Sequence, residues 1–126
     1  MLAKDVMTKN VVCVRVDTSI RESIELCVQK GISGLVVVDH HDDIIGVVSE
    51  KDMLVAYDFL HEVKDPIKDF VSRDIISVSE DTSVDEINKT LLQRNIKRVP
   101  VLRGKKVVGI VSRRDVLRYI LEKIKN

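Results

Sequence analysis

Two strings in the chain have residue types and spacing suited to chemistry. They are Gly46-Val47-Val48-Ser49-Glu50-Lys51-Asp52 and Gly109-Ile110-Val111-Ser112-Arg113-Arg114-Asp115. Each reads as a buried strand that ends at a serine and turns directly into a helix. A serine there caps the first helical turn with its hydroxyl. The start of such a helix carries unpaired N–H groups and the positive end of the helix dipole, which attract phosphate. Asp52 and Asp115 fall one turn in, where a carboxylate can accept hydrogen bonds from two vicinal hydroxyls such as those of a ribose. A plainer reading stands beside this one. Ser-x-x-Asp is also a common capping pattern, and a duplication copies caps as readily as sites.

The cations around the two strings differ. The second has Lys97-Arg98 upstream, together with Arg103, Lys105, Lys106, Arg113 and Arg114; the matching positions of the first hold Ser33-Gly34 and Glu50-Lys51. Fixed cations beside a helix start suit a polyanionic small ligand, and a solvated charged face accounts for them equally well. If phosphate is held anywhere, the second string is the better place. His40-His41-Asp42-Asp43 has metal-ligating residue types, but four neighbours at a hairpin tip cannot all point at one ion. Cys13 and Cys27 lie in apolar patterns without Cys-x-x-Cys spacing and are expected in the core. No acid, base and nucleophile set is recognisable, so catalysis is not expected.

The elements that position these strings come as an internal repeat. Lys4-Asp5-Val6-Met7 returns as Lys68-Asp69-Phe70-Val71, and Asp17-Thr18-Ser19-Ile20 as Asp81-Thr82-Ser83-Val84. The copies are 64 residues apart early and 63 late, which removes one residue from the second copy's turn near Gly104. Each copy reads as β-α-β-β-α. Short β-branched runs, Val11–Val14 and Ile75–Val78, are followed by helix starts at Ser19-x-x-Glu22 and Ser83-x-x-Glu86, with Thr18 and Thr82 as alternative caps. Ile20, Ile24, Cys27 and Val28 then follow helical spacing, as do Val84, Ile87, Leu91 and Leu92. Gly31 and Asn95 are the expected helix ends. Two apolar runs flanking His40–Asp43 form a hairpin, and two more flank Gly104-Lys105. A last helix presents Val116, Leu117, Ile120, Leu121 and Ile124 on one stripe. The division expected is 1–60 for the first copy, 61–67 for the linker and 68–126 for the second.

Composition narrows the function classes. The chain has 126 residues, 44% of them hydrophobic, and 21 Lys and Arg balance 20 Asp and Glu to a net charge of +1. That content supplies a core, and near-neutrality argues against a dedicated polyanion binder, whose affinity comes from phosphate neutralisation. Few aromatics are available for base stacking. No run approaches the roughly 18 apolar residues of a membrane span. The expectation is a soluble cytoplasmic chain with neither membrane nor nucleic acid as partner.

Taken in order, these motifs resemble a tandem pair of CBS domains, regulatory modules named after cystathionine β-synthase. The resemblance covers about Lys4 to Tyr119. It rests on the Asp5–Thr8 opening, the Asp-Thr-Ser helix starts, the Val99-Pro100-Val101 strand and the paired strings above. It implies an α/β (α+β) fold of two pseudo-twofold-related β-α-β-β-α motifs packed as one disc-like module with clefts between the halves. It also implies an adenosine-containing ligand: AMP, ADP, ATP, S-adenosylmethionine or a dinucleotide.

Carried onto this chain, the family pattern assigns Asp115 to the ribose hydroxyls, and Ser112 with Arg114 to the phosphates. Lys97 and Arg98 match cationic phosphate contacts. Ile75, Ile76 and Ser77 match positions lining an adenine pocket, with Val99 and Pro100 beside it. A weaker site, in the first copy, would use Val11, Val12, Cys13, Gly34, Leu35, Val36, Ser49, Lys51 and Asp52. There Cys13 stands where the family usually has Thr or Ser, Val36 replaces the proline matched by Pro100, and Gly34 removes the cation found at Arg98. The expected function is nucleotide sensing, signalled by conformational change to a regulated protein in trans. A homodimer is expected through the apolar last helix, and Tyr57, Phe59 and His61 are expected to pack between halves or subunits. The alternatives are a dimerisation adaptor with vestigial clefts and a nucleic-acid binder using the Lys97–Arg114 face.

Overall fold

The computed structural model describes residues 1–125. In chain order the elements are α1 (Ala3–Val6), β1 (Cys13–Val14), α2 (Ile20–Lys30), β2 (Gly34–Val38), β3 (Ile44–Ser49) and α3 (Glu50–Leu60), then a 3-10 turn at Lys68–Phe70. The second copy follows with β4 (Val78–Ser79), α4 (Val84–Gln93), β5 (Arg98–Arg103), β6 (Lys106–Ser112) and α5 (Arg113–Lys125). The β-α-β-β-α order expected of each copy is present, and it forms two three-stranded sheets, β1-β2-β3 and β4-β5-β6. In each sheet the first pair is parallel and the second antiparallel.

Local chemistry fixes the element ends. Ser19 and Ser83 cap α2 and α4, their hydroxyls accepting from the Glu22 and Glu86 amides at 3.0 and 3.2 Å. Thr18 and Thr82 act one step earlier, where each hydroxyl accepts an amide of the preceding turn, from Arg15 and Ser79. Gly31 ends α2 in the left-handed region at φ 62. In the second copy α4 ends at Gln93 with Arg94 as its C-cap, and Asn95 takes the left-handed turn at φ 51. The opening strands are shorter than the β-branched runs suggested, because only two residues of each pair with the neighbouring strand.

The chain forms two compact units, and they cut across the sequence copies. One is Val12–Ile75; the other joins Met1–Val11 to Ile76–Asn126. In the first, Val14, Ile20, Cys27, Leu35, Val37, Val48, Met53, Ala56 and Ile67 make one hydrophobic core. Ile67 is held there by donating its amide to the Thr18 carbonyl at 2.9 Å, and Ser72 bridges to Val47. In the second, Val84, Ile87, Leu91, Val99, Val101, Val111 and Val116 form a core completed by Ala3. Ala3 donates its amide to the Thr82 carbonyl at 2.8 Å, and Thr8 bridges to Ile110. The Lys4–Val71 echo therefore has a definite use. Each of its two segments sits on the hairpin of the copy to which it does not belong in sequence.

Some apolar positions lie outside the cores. Val28 is 75% exposed and Leu92 70%, because each sits at the edge of a stripe centred on Ile20, Ser23 and Cys27 or on Val84, Ile87 and Leu91. Cys13 is exposed where a core position was expected, since it occupies a short edge strand; Cys27 is buried. Phe59, at 77% exposure, and Tyr57 are not buried by the chain. Of the α5 stripe only Val116 is buried, while Leu117, Ile120, Leu121 and Ile124 are exposed. No helix among the described residues is long and apolar enough to cross a membrane.

Candidate functional site

The serine–aspartate strings form the strand-to-helix junctions β3–α3 and β6–α5, and both make a reciprocal cap. At the first, the Ser49 amide and hydroxyl donate to Asp52 Oδ2 at 2.8 and 2.9 Å, and the Asp52 amide donates back to Ser49 Oγ at 3.1 Å. At the second, the Ser112 amide and hydroxyl donate to Asp115 Oδ2 at 2.8 and 3.0 Å, and the Asp115 amide donates to Ser112 Oγ at 3.3 Å. The capping role is thus present at both. It leaves Oδ1 as the oxygen that differs between them.

Asp115 Oδ1 accepts from Thr8 Oγ1 at 3.3 Å and from Arg118 Nη1 at 2.9 Å, and the residue is only 3% exposed. Asp52 is half-buried. Among the described residues no hydrogen bond reaches its Oδ1; Val55 stands where Arg118 does, and Ser72 where Thr8 does. Arg118 could have been suspected from its one-turn spacing after Asp115. Thr8 gave no such signal, being 107 residues away in sequence.

Register sets the neighbours of each serine. Arg98 pairs with Ser112 across β5 and β6, and Gly34 pairs with Ser49 across β2 and β3. Facing residues on adjacent strands have Cβ atoms about 5 Å apart, so an arginine faces one helix start from the neighbouring strand and a glycine faces the other. Lys97 and Arg114 are exposed beside it, as Lys51 is beside Ser49. Two further cations of the second copy have structural partners. Arg113 donates to the Ile96 carbonyl at 3.1 Å and to Asn95 Oδ1 at 3.4 Å, bracing the turn that follows α4. Arg103 makes a two-pronged pair with Glu80, both bonds 2.8 Å. That hydrogen-bonded guanidinium holds the Glu80 carboxyl below the usual carboxylate range and raises Arg103 in turn.

The remaining candidates are spread more widely. Val99 and Leu35 lie in the hydrophobic cores, while Pro100 and Val36 are buried next to them along β5 and β2 and so point to the opposite sheet face. Val12 accepts the Val36 amide at 3.3 Å. Val11 and Ile75 each fall in the unit opposite to the rest of their sets, whereas Ile76 and Ser77 stay with Ser112. Ser77 lines a shallow groove of about 490 Å³ with Ser79, Thr82, Glu86 and Thr90. The Cys13 thiol is pushed up, first by partial loss of hydration and then by the Asp42 carboxylate, which leaves less of the reactive thiolate. At the first hairpin tip, Asp39 accepts the Asp43 and His41 amides at 3.0 and 2.8 Å, and those bonds lower its carboxyl.

With this geometry in place, comparison with known proteins decides the family. A CBS domain model matches residues 3–58 and again 67–122. The chain belongs to the CBS domain family. Its CBS pair is similar in structure to a CBS domain pair in complex with 5′-methylthioadenosine and S-adenosyl-L-methionine, at 28% identity and TM-score 0.85, covering 98% of both chains. It is equally similar to CBSX2 in complex with AMP, at 28% identity and TM-score 0.88, covering 99% of this chain and 98% of that one. In sequence the CBS pair is 28% identical over 117 residues to inosine-5′-monophosphate dehydrogenase of Methanocaldococcus jannaschii. That match takes in 92% of this chain and 23% of the enzyme. It is also 30% identical to the L-aspartate semialdehyde sulfurtransferase of the same organism, again over 23% of that enzyme's length. The chain thus spans about a quarter of these two relatives.

Proposed function

We propose that this CBS pair is a regulatory module that binds an adenosine-containing ligand and signals its presence to another protein. The observation that carries the reading is the Ser112–Asp115 junction. It gathers a capped helix start, a carboxylate one turn in and Arg98 across the strand ladder in one place. Two structures similar along nearly their whole length hold adenosyl ligands, which supports the same ligand class here. AMP, ADP, ATP and S-adenosylmethionine are the candidates, in a cytoplasmic setting. The ligand shifts the partner only through its different affinities for the module's alternative arrangements. The exposed apolar residues of α3 and α5 support self-association as a homodimer. The reading assigns no catalytic group; any chemistry would belong to the regulated partner.

Isothermal titration calorimetry with the four ligands, repeated on Asp115→Ala and Asp52→Ala, tests the proposal. Micromolar binding of one ligand, lost in at least one variant, supports it. Absence of heat for all four, in folded protein free of co-purified nucleotide, replaces it with the adaptor reading, which the apolar faces of α3 and α5 favour.

A further inference from the structure

A carboxylate offers about four lone-pair directions, and those of Asp115 are filled. Oδ2 takes the Ser112 amide and hydroxyl, and Oδ1 takes Thr8 Oγ1 and Arg118 Nη1. With the residue 3% exposed, no acceptor direction is left for a ribose. A hydroxyl pair arriving at Asp115 must displace something, and the partners are not equally held. The Ser112 bonds tie down the start of α5. The Thr8 bond is long, at 3.3 Å. Arg118 makes the short bond to Oδ1, yet its side chain is 61% exposed, so water can take over its guanidinium at small cost.

We propose that Arg118 occupies the ribose subsite of its own module and is exchanged for the ligand's hydroxyls, which makes it a determinant of affinity and of ribose recognition at this site. The inference rests on the nucleotide-binding reading given above and adds the regulation of that site. The first junction is the internal contrast. Asp52 has Val55 one turn on, and no hydrogen bond among the described residues reaches its Oδ1. A nucleoside at Asp52 therefore displaces no cation. The two sites answer the same ligand differently because of this residue.

The test is calorimetry with adenosine and with 2′,3′-dideoxyadenosine. Neither has a phosphate, so loss of a cation does not confuse the result. Asp52→Ala isolates the second site, and Arg118→Met is added to it; methionine keeps the helix and the aliphatic bulk but donates nothing. Arg118 is the exposed member of its pair with Asp115, so its removal should tighten adenosine by about three- to fivefold. The dideoxy compound should change by less than about twofold, because it brings no hydroxyls to Asp115. The reciprocal Val55→Arg, made in an Asp115→Ala background, should weaken adenosine at the first site. Unchanged or weaker adenosine binding in Arg118→Met, with measurable binding before the change, overturns the inference and leaves the nucleotide reading standing. Equal tightening of both compounds overturns it too. No binding of adenosine or AMP with or without Arg118 removes the nucleotide reading and this inference together.

Discussion

Arg98 stands directly across the β5–β6 ladder from Ser112, whereas Gly34 holds the matching place opposite Ser49. The two helix starts share a backbone design and differ in the charge beside it. Charge-assisted hydrogen bonds to phosphate contribute roughly 1.5–3 kcal/mol. Arg98→Ala should therefore weaken AMP at the second site by about tenfold or more while shifting adenosine by less than about twofold. Parallel titrations with the two ligands check this. Equal losses would assign Arg98 to the fold instead of to a phosphate.

Gly46 and Gly109 occupy matching positions with unlike surroundings. A Cβ on Gly46 would collide with the Ser72 carbonyl oxygen and with Val71, and Ser72 is fixed by its two backbone bonds to Val47. A Cβ on Gly109 would meet the Met7 side chain, whose far end can rotate away. Gly46→Ala should cost about 1–3 kcal/mol, as overpacking against rigid atoms does, and Gly109→Ala clearly less. Urea unfolding midpoints of the two variants give the comparison.

The Glu80–Arg103 pair links pH to stability with a definite sign. The Glu80 carboxyl is lowered in the folded chain by its hydrogen bond to Arg103. Its contribution is therefore complete above the ordinary carboxylate value and is lost as pH falls through the lowered folded value. Urea midpoints of the parent chain and Glu80→Gln should differ by a small constant amount from neutral pH upward. The curves should meet in acid, below the ordinary carboxylate range. High salt should shrink the gap, because the pair is exposed.

Self-association should depend on the exposed apolar side chains. Phe59→Glu and Leu121→Glu place charge on α3 and α5 without touching either core. Sedimentation velocity should show a homodimer for the parent chain and a shift to monomer for at least one variant, with thermal melting nearly unchanged. A monomeric parent chain at high concentration would remove the homodimer from the proposal.

Chain division offers a further check. A fragment spanning residues 12–75 contains every member of its core, Ile67 included. A fragment spanning 1–60 follows the sequence copy but lacks Ile67 and Phe70. The first should unfold more cooperatively in urea than the second, although domains this small are marginal.

Much of this was legible in the residues. The repeat, the caps at Ser19 and Ser83 and the strand–serine–helix junctions follow from local rules of spacing and capping, which act within a few residues. The contacts of Thr8 with Asp115 and of Ile67 with Thr18 were not legible, because periodicity says which face of an element is apolar and nothing about which distant segment covers it. The exposure of Cys13, Val28 and Leu92 was missed for a related reason. An apolar pattern marks a stripe, but its edge positions and short edge strands stay in water. Several basic residues that looked like a phosphate patch have structural partners: Arg113 braces a turn and Arg103 clamps Glu80.

The crossed segments also bear on how such a chain could be cut or shortened. The Lys4–Thr8 stretch belongs with the hairpin of the second copy, and Ile67–Ser72 with that of the first. A molecule reduced to one copy would keep a leading segment whose seat had been deleted, and a core with one wall open. Two such molecules could each lend the other the missing piece, so a halved chain would be driven toward a domain-swapped dimer. Duplication within one polypeptide turns that loan between molecules into an internal one, held at a fixed high effective concentration.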